Sequence, residues 1–267
     1  MRRGVLFDVA GPRAAVRRSV ISLALTSVTA TPIQLFGQDS RVELDHVFIV
    51  VEPGAPGADT ALRSAGLTLQ SAPRTHPGQG TASIAVMFEN AYLELIWVDS
   101  TVPVDSRNAA AFEWFRKAEA WRWNGTSPFG LGLRRMPGDT AALPVPVRLE
   151  FAEWLPPGSA YELLHQPSDT LAAEFFVVPA PNAVPRWIER ARARFPQWFR
   201  HSGGDRVMAL VRVHGAHEHE PAALRVLRPG RIDMVRAAAP LLELHLDGGT
   251  AGTRTDLRPV LPLVLVR

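Results

Sequence analysis

The segment Leu44–Val51 places the strongest constraint on the fold, because its sequence, LDHVFIVV, is almost entirely apolar or β-branched. A run of this kind is typical of a strand buried on both faces of a sheet. Since successive side chains of a strand alternate between the faces, the even-numbered residues, from Leu44 through His46 to Val50, are expected to share one face. The segment therefore predicts a histidine inside the protein.

Several further segments have strand or helix character. Thr81–Phe88 and Ala91–Val98 predict two strands joined by a tight turn. In the second of these strands, Glu94 shares a face with Tyr92 and Ile96. The other predicted elements are helices at Ala58–Ala65, Asp105–Trp123 and Val184–Phe199, and strands at Pro128–Arg135, Val145–Trp154, Ala172–Val178, Arg206–Val213 and Leu241–Leu246. Strands predominate and do not alternate strictly with helices, which favours an α+β fold over a doubly wound sheet.

Composition narrows the classes of protein further. The chain has 267 residues, of which 46% are hydrophobic and 21% charged, as in ordinary globular proteins that form a large core. The absence of cysteine excludes disulfides, thiolate metal sites and cysteine nucleophiles. A net charge of only +3, without interleaved aromatic and basic residues, argues against a nucleic-acid partner. The chain also lacks a Gly-x-Ser-x-Gly nucleophile elbow and a dinucleotide fingerprint.

Residues 1–40 have the character of an N-terminal leader. Five arginines precede or adjoin the mostly apolar stretch Ser19–Phe36, which contains the small-residue site Val28-Thr29-Ala30. This pattern predicts an export signal, a mature chain that begins after about Ala30, and a periplasmic or secreted location; without cleavage the protein is cytoplasmic. The hydroxyl residues and the proline within the stretch argue against a stable membrane span.

Two features carry candidate chemistry. His46 and Glu94 lie on strands that are too apolar to hold unpartnered charges, so they form either a metal pair or a buried hydrogen bond. The segment His76–Thr81, with the sequence HPGQGT, is either a loop shaped by proline and glycine or the rim of a pocket that includes His76. The residues alone leave both alternatives open.

Taken together, these segments resemble the glyoxalase-like domains of the vicinal-oxygen-chelate superfamily. The resemblance is carried first by LDHV at 44–47, HPGQGTA at 76–82 and YLELI at 92–96. It continues more weakly in HSGG at 201–204, in 240–249 and in 257–263. It implies an α+β fold in which paired βαβββ-type modules form a curled mixed sheet around a cavity. The implied domain is 41–267, with modules at about 41–104 and 125–267 joined by a helix.

The resemblance also implies a site. Its metal-dependent members bind a divalent metal ion with histidine and glutamate from both modules, and the ion holds two neighbouring oxygens of the substrate. His46 and Glu94 are then the first-module ligands, with Glu94 also catalytic. Glu243 is the second-module candidate, although it also fits a plain half-exposed strand. The pocket residues are His76, Tyr92 and His201.

Two functions therefore stay open at the level of the sequence. The first is an enzyme of lyase, isomerase or dioxygenase type that binds a small oxygenated molecule at a divalent metal. The second is a metal-free protein that binds or sequesters a small ligand without catalysis. Both have a small-molecule partner, and both are compatible with a homodimer. The number of well-placed metal ligands distinguishes them.

Overall fold

The computed structural model describes residues 41–164, 173–216, 222–227, 229–249 and 251–267, all within the unit Gly37–Arg267. The predicted leader at 1–40, with its cleavage site after Ala30, lies outside the described residues, so export stays a prediction. None of the helices in the described ranges is both long enough and apolar enough to cross a membrane.

Eight strands form a mixed sheet that consists of two similar halves. In each half the first strand pairs in parallel with the fourth, and β1 and β5 pair antiparallel at the centre, so the halves share one topology. The strand order is β2-β3-β4-β1-β5-β8-β7-β6. The strands are β1 (Val42–Val50), β2 (Arg74–His76), β3 (Thr81–Met87), β4 (Tyr92–Val98), β5 (Phe129–Arg135), β6 (Val147–Glu150), β7 (Tyr161–Leu164) and β8 (Glu174–Val177).

A second, five-stranded sheet follows in the sequence. Its order is β10-β9-β11-β13-β12. One hydrophobic core joins the two sheets, since Leu93 and Phe175 of the first belong to the same buried cluster as Leu244 and Leu263 of the second. The α+β class is confirmed, and the predicted module at 125–267 spans strands of both sheets. The strands are β9 (Val207–Gly215), β10 (Ile232–Arg236), β11 (Leu241–Asp247), β12 (Arg254–Asp256) and β13 (Leu263–Val266).

The helices are shorter than the sequence predicts. The long helix expected at Asp105–Trp123 is interrupted at Ala120, where the backbone (φ −86°, ψ 16°) leaves the α-helical region. The helix expected at Val184–Phe199 has 3₁₀ turns at both ends, and Pro185 and Pro196 lie in those turns because proline lacks an N–H for the α-helical ladder. The helices are α1 (Ala58–Ser64), α2 (Ala109–Glu119), α3 (Trp121–Asn124), α4 (Ile188–Arg194) and α5 (Ala222–Leu227).

A β-bulge in β1 decides which residues of this strand face the site. The pairing of β1 with β5 shifts its register between Leu44 and His46, so Asp45 is the extra residue. As a result, Leu44 packs in the main core with Val47, whereas His46 and Phe48 face the opposite side of the sheet. The expectation that Leu44 shares a face with His46 is wrong, because strict alternation holds only in an uninterrupted strand.

Two glycines of β5 make room for the side chains of β1. A Cβ atom on Gly130 would overlap the ring of Phe48, and a Cβ atom on Gly132 would overlap the ring of His46. The rings of Phe48 and His46 therefore lie across the backbone of β5. They fill the space that a side chain would occupy if Gly130 and Gly132 were any other residue. This contact fixes the position of the His46 imidazole before any hydrogen bond is considered.

We predict that Gly132→Ala destabilises the protein, because the added methyl group displaces the His46 ring from a packed position. Overpacking of this kind costs about 1–3 kcal/mol of unfolding free energy. Urea denaturation measures the effect. Gly230→Ala is the matched control, since a Cβ atom at Gly230 meets nothing within 4 Å. Equal stability of the two variants would contradict the described position of His46.

Candidate functional site

A cavity of about 1080 Å³ lies against one face of the eight-stranded sheet. Its floor is formed by side chains of β1, β3, β4 and β8, and its sides include Trp114 and Phe115 of α2 and Trp187 beside α4. Small-molecule sites usually have volumes of about 300–1000 Å³ and are lined by aromatic and apolar side chains with a few convergent polar groups. The cavity has the size and lining of such a site.

Asp45 orients His46 at the floor of the cavity. The Nδ1 atom of His46 lies 3.0 Å from Asp45 Oδ1, and Asp45 Oδ2 accepts a 2.7 Å hydrogen bond from the Val184 amide and lies 3.6 Å from Arg134 Nη1. Because this carboxylate is surrounded by donors, we assign the imidazole proton to Nδ1. The Nε2 lone pair then faces the cavity, while Tyr92 stacks on the ring at a centroid distance of 4.4 Å.

Glu94 lies between two histidines. Its Oε2 is 4.0 Å from His46 Nε2, and its Oε1 is 3.9 Å from His76 Nε2. The expected approach of His46 and Glu94 inside a cavity is thus observed, but at a distance longer than a hydrogen bond. Their metal and catalytic roles stay predictions.

His76 is oriented by a chain of hydrogen bonds. The Thr81 hydroxyl donates to Gln79 Oε1 (2.8 Å) and so accepts from Nδ1 of His76 (2.9 Å). The Ser83 hydroxyl, 3.3 Å from His76 Nε2, is then a donor to that atom. Burial lowers the pKa of His76 below its ordinary value. His76 is therefore a neutral acceptor at pH 7.

The same chain links the two edges of the sheet. Gln79, which precedes β3, donates a 2.9 Å hydrogen bond to Glu150 Oε1 at the end of β6. Asn108 donates to the carbonyls of Gly78 (2.9 Å) and Phe151 (2.8 Å). Since β2 and β6 are the outermost strands of the sheet, side chains from segments next to its two edges are in contact beside the cavity.

Two carboxyl groups on the opposite wall were not predicted from the sequence. Burial raises the pKa of Glu174 to about 7, although Arg148 opposes the shift. Burial also raises the pKa of Glu150, despite the hydrogen bond from Gln79. The available signal was a glutamate beginning an apolar run, EFFV at 174–177.

Asp45 was missed because alternation places it on the face opposite to His46, and only the bulge brings the two side chains together.

Two predicted site residues lie outside the cavity lining. Glu243 is on β11 of the second sheet, where its carboxylate binds Arg254 (2.6 Å) and Arg212 (3.3 Å). His201 is buried: its Nδ1 accepts from the Thr68 amide at 3.0 Å, and its Nε2 donates to the Met87 carbonyl at 2.9 Å. Of the other candidates, His46, His76, Tyr92 and Glu94 all line the cavity.

The spacing of the donor atoms does not fit a divalent ion. Ligand atoms bound at about 2.1 Å lie roughly 3.0–3.4 Å apart at octahedral or tetrahedral angles. The separations from Glu94 to His46 and His76 are 4.0 and 3.9 Å. Across the part of the chain that the structure describes, no group of three or more His, Cys, Asp or Glu side chains is placed to hold a metal.

Comparison with known proteins identifies the domain. Residues 44–133, which extend from β1 to β5 and include His46, His76 and Glu94, match the sequence model of a glyoxalase-like domain. This match places residues 44–133 in the glyoxalase-like superfamily. No curated protein matches it. A hypothetical protein from Staphylococcus aureus of known structure shares the fold, with a TM-score of 0.51, 11% sequence identity, and coverage of 84% of this chain and 98% of that one.

The buried hydrogen bonds of His201 predict a pH dependence of the stability of the protein. Burial lowers the pKa of His201 in the folded state, so the unfolded chain takes up its proton first as the pH falls below about 6.5. The stability that neutral His201 contributes is therefore complete above this pH and decreases as the pH falls through the folded pKa.

We expect the urea concentration at the unfolding midpoint of the wild type to decrease when the pH is lowered from 7 to 5. In His201→Gln we expect a smaller decrease. His76 also contributes to the change of stability with pH, because its pKa is lowered in the folded state. The variant therefore reduces the pH dependence of the stability without abolishing it. Ser202→Ala, an exposed neighbour without a titratable group, is the control and should follow the wild type. An unchanged slope in His201→Gln would refute this role.

Proposed function

We propose that this glyoxalase-like protein binds a small oxygenated molecule in the cavity without a metal ion. The observation that carries the proposal is the convergence of His46, His76 and Glu94 on the floor of a cavity of about 1080 Å³. Each of the three presents a hydrogen-bond acceptor, and each imidazole is fixed in one tautomer by its neighbours. Pre-oriented polar groups within an apolar enclosure are what small-molecule recognition requires.

The aromatic lining supplies the apolar part of this recognition. Phe48, Phe115 and Phe176 belong to one buried cluster beside the floor, and Phe48 packs against Trp114 edge to face at 5.9 Å. A ligand that covers these rings removes apolar surface from water, which contributes about 25 cal/mol per Å². The polar groups then determine its orientation.

We further propose that the two halves of the large sheet are a pair of βαβββ-type modules. The parallel pairing of the first and fourth strands in both halves supports this interpretation. The first half has α1 between its first two strands. In the second half the described residues between β5 and β6 contain no helix, so this module is incomplete.

Binding in the cavity is tested with the uncharged dye Nile red, whose fluorescence rises in an apolar environment. We expect the wild type to bind the dye and Ala191→Trp to weaken binding by about tenfold or more, because the indole fills space that the dye occupies. Ala191 lines the cavity from α4. Ala193→Trp is the control, since Ala193 is exposed on the same helix and lies outside the lining. Equal binding by both variants would place the dye elsewhere.

The metal-free character is tested with His46→Ala. We expect no stoichiometric uptake of zinc or manganese by the wild type or the variant, measured by elemental analysis after chelator-free purification and by titration calorimetry. We also expect the variant to lose about 2 kcal/mol of unfolding free energy, because a packed ring is removed. Asp45 keeps its contacts with Val184 and Arg134. One equivalent of metal in the wild type that is absent from His46→Ala would overturn the proposal.

A second candidate function is catalysis of lyase or isomerase type. It is favoured by the Asp45–His46 pair, which leaves the Nε2 atom as a base, and by Glu174, whose pKa of about 7 suits proton transfer near neutral pH. Both side chains line the same cavity. Glu174→Gln would separate the two functions, since a group that transfers protons is lost in this variant while the ligand contacts of His46, His76 and Glu94 persist.

A further inference from the structure

Three polar groups on the cavity floor, His46, His76 and Glu94, present acceptors to one another. Asp45 and Thr81 engage the Nδ1 atoms of His46 and His76, so each imidazole turns a lone pair towards Glu94. The Ser83 hydroxyl is the one donor recorded at these imidazole Nε2 atoms among the described residues, and it reaches only His76. Three acceptors that converge in this way require hydrogen-bond donors from the ligand, since acceptors repel one another when nothing lies between them.

The carboxylates of the cavity also lack direct ion pairs. In the described residues, Glu94, Glu150 and Glu174 form no salt bridge with an arginine or lysine, and the ionisable side chains found within 4.0 Å of Glu94 are the two histidines. Arginines do line the cavity, but Arg148 and Arg190 are exposed, as are the others. Positive charge therefore lies at the rim and negative charge inside. A buried carboxylate without a cation is costly, and a cationic ligand offsets that cost.

The distances between the acceptors favour a nitrogen cation over a metal. Acceptors that share one ammonium nitrogen at about 2.9 Å lie roughly 4–5 Å apart, whereas ligands of one metal lie closer. The observed separations from Glu94 are 4.0 Å to His46 and 3.9 Å to His76. An ammonium group has three N–H donors, one for each of these three groups.

Aromatic rings surround the same point. Tyr92 stacks on His46 at 4.4 Å, and Trp154 packs beside His76 at 5.1 Å. Aromatic rings of this kind exclude water and so strengthen the interaction of a carboxylate with a cation. Aromatic rings beside two imidazoles and a carboxylate are suitable surroundings for an organic ammonium group.

We infer that the ligand of this cavity carries a primary amine, whose ammonium form donates to His46 Nε2 and Glu94 and replaces the Ser83 hydroxyl as the donor to His76 Nε2, with its apolar body against the aromatic lining. This inference rests on the proposed function, because it names the chemical class of the molecule that the cavity binds. It adds a requirement that the proposed function does not make, which is a cationic donor on the ligand.

Three probes of equal ring size test the inference by titration calorimetry at pH 7: naphthylmethylamine, naphthylmethanol and naphthylmethyl-trimethylammonium. The first has charge and three donors, the second has one donor and no charge, and the third has charge without donors. We expect the amine to bind about tenfold or more tightly than either of the others, because charge-assisted hydrogen bonds are the strong ones. Equal binding of the amine and the alcohol overturns the inference, and equal binding of the two cations overturns the role of the donors.

Glu94→Gln keeps the shape of the side chain and removes its charge. We expect it to weaken binding of the amine by about tenfold and to leave the alcohol unchanged. Glu162→Gln is the matched control, because Glu162 lies on β7 outside the cavity lining and pairs with Arg135. Should Glu94→Gln fail to fold, the comparison of the probes on the wild type still decides.

The outcomes for the two proposals are distinguishable. If the dye binds in the cavity and the amine has no advantage over the alcohol, the inference on ligand class fails and the proposed function stands. If neither the dye nor any of the three probes binds, both fail.

Discussion

The antiparallel pairing of β1 with β5 is the interaction on which the rest of the structure depends. It joins the two halves of the eight-stranded sheet, and its bulge at Asp45 turns His46 towards the cavity while Leu44 packs in the core. Without the extra residue, Asp45 and His46 would face opposite sides, and the imidazole would lose the carboxylate that sets its tautomer. Topology and chemistry are thus determined at the same place.

Much of the first half could be predicted from local sequence. The apolar runs around His46 and Glu94 gave the strands, and β3 and β4 fall within a residue of their predicted ends because a short turn leaves little freedom. The bulge could not be predicted, since a bulge changes the register against a partner strand that the local sequence does not contain. The strand β7 was missed because four residues are too few to show a period.

The site was predictable only where its residues lie on strands with a clear pattern. His46, His76, Tyr92 and Glu94 all line the cavity, and their roles in a site stay predictions. Glu243 has a similar local sequence to Glu94, but its strand belongs to the other sheet, where two arginines neutralise it. Glu150 and Glu174 line the cavity from β6 and β8, and their position depends on contacts between residues far apart in the sequence.

The two halves of the sheet share a topology but contribute unequally to the cavity floor. The first half supplies His46, His76 and Glu94, whereas β5 of the second half supplies two glycines against which the rings of β1 lie. The first strand of the second half, β5, thus provides space, whereas the first strand of the first half, β1, provides the rings of His46 and Phe48. A substitution that made the halves more alike, by giving β5 side chains of its own, would close the volume in which those groups act. In this fold the asymmetry between the repeats, more than any single residue, is what leaves room for a ligand.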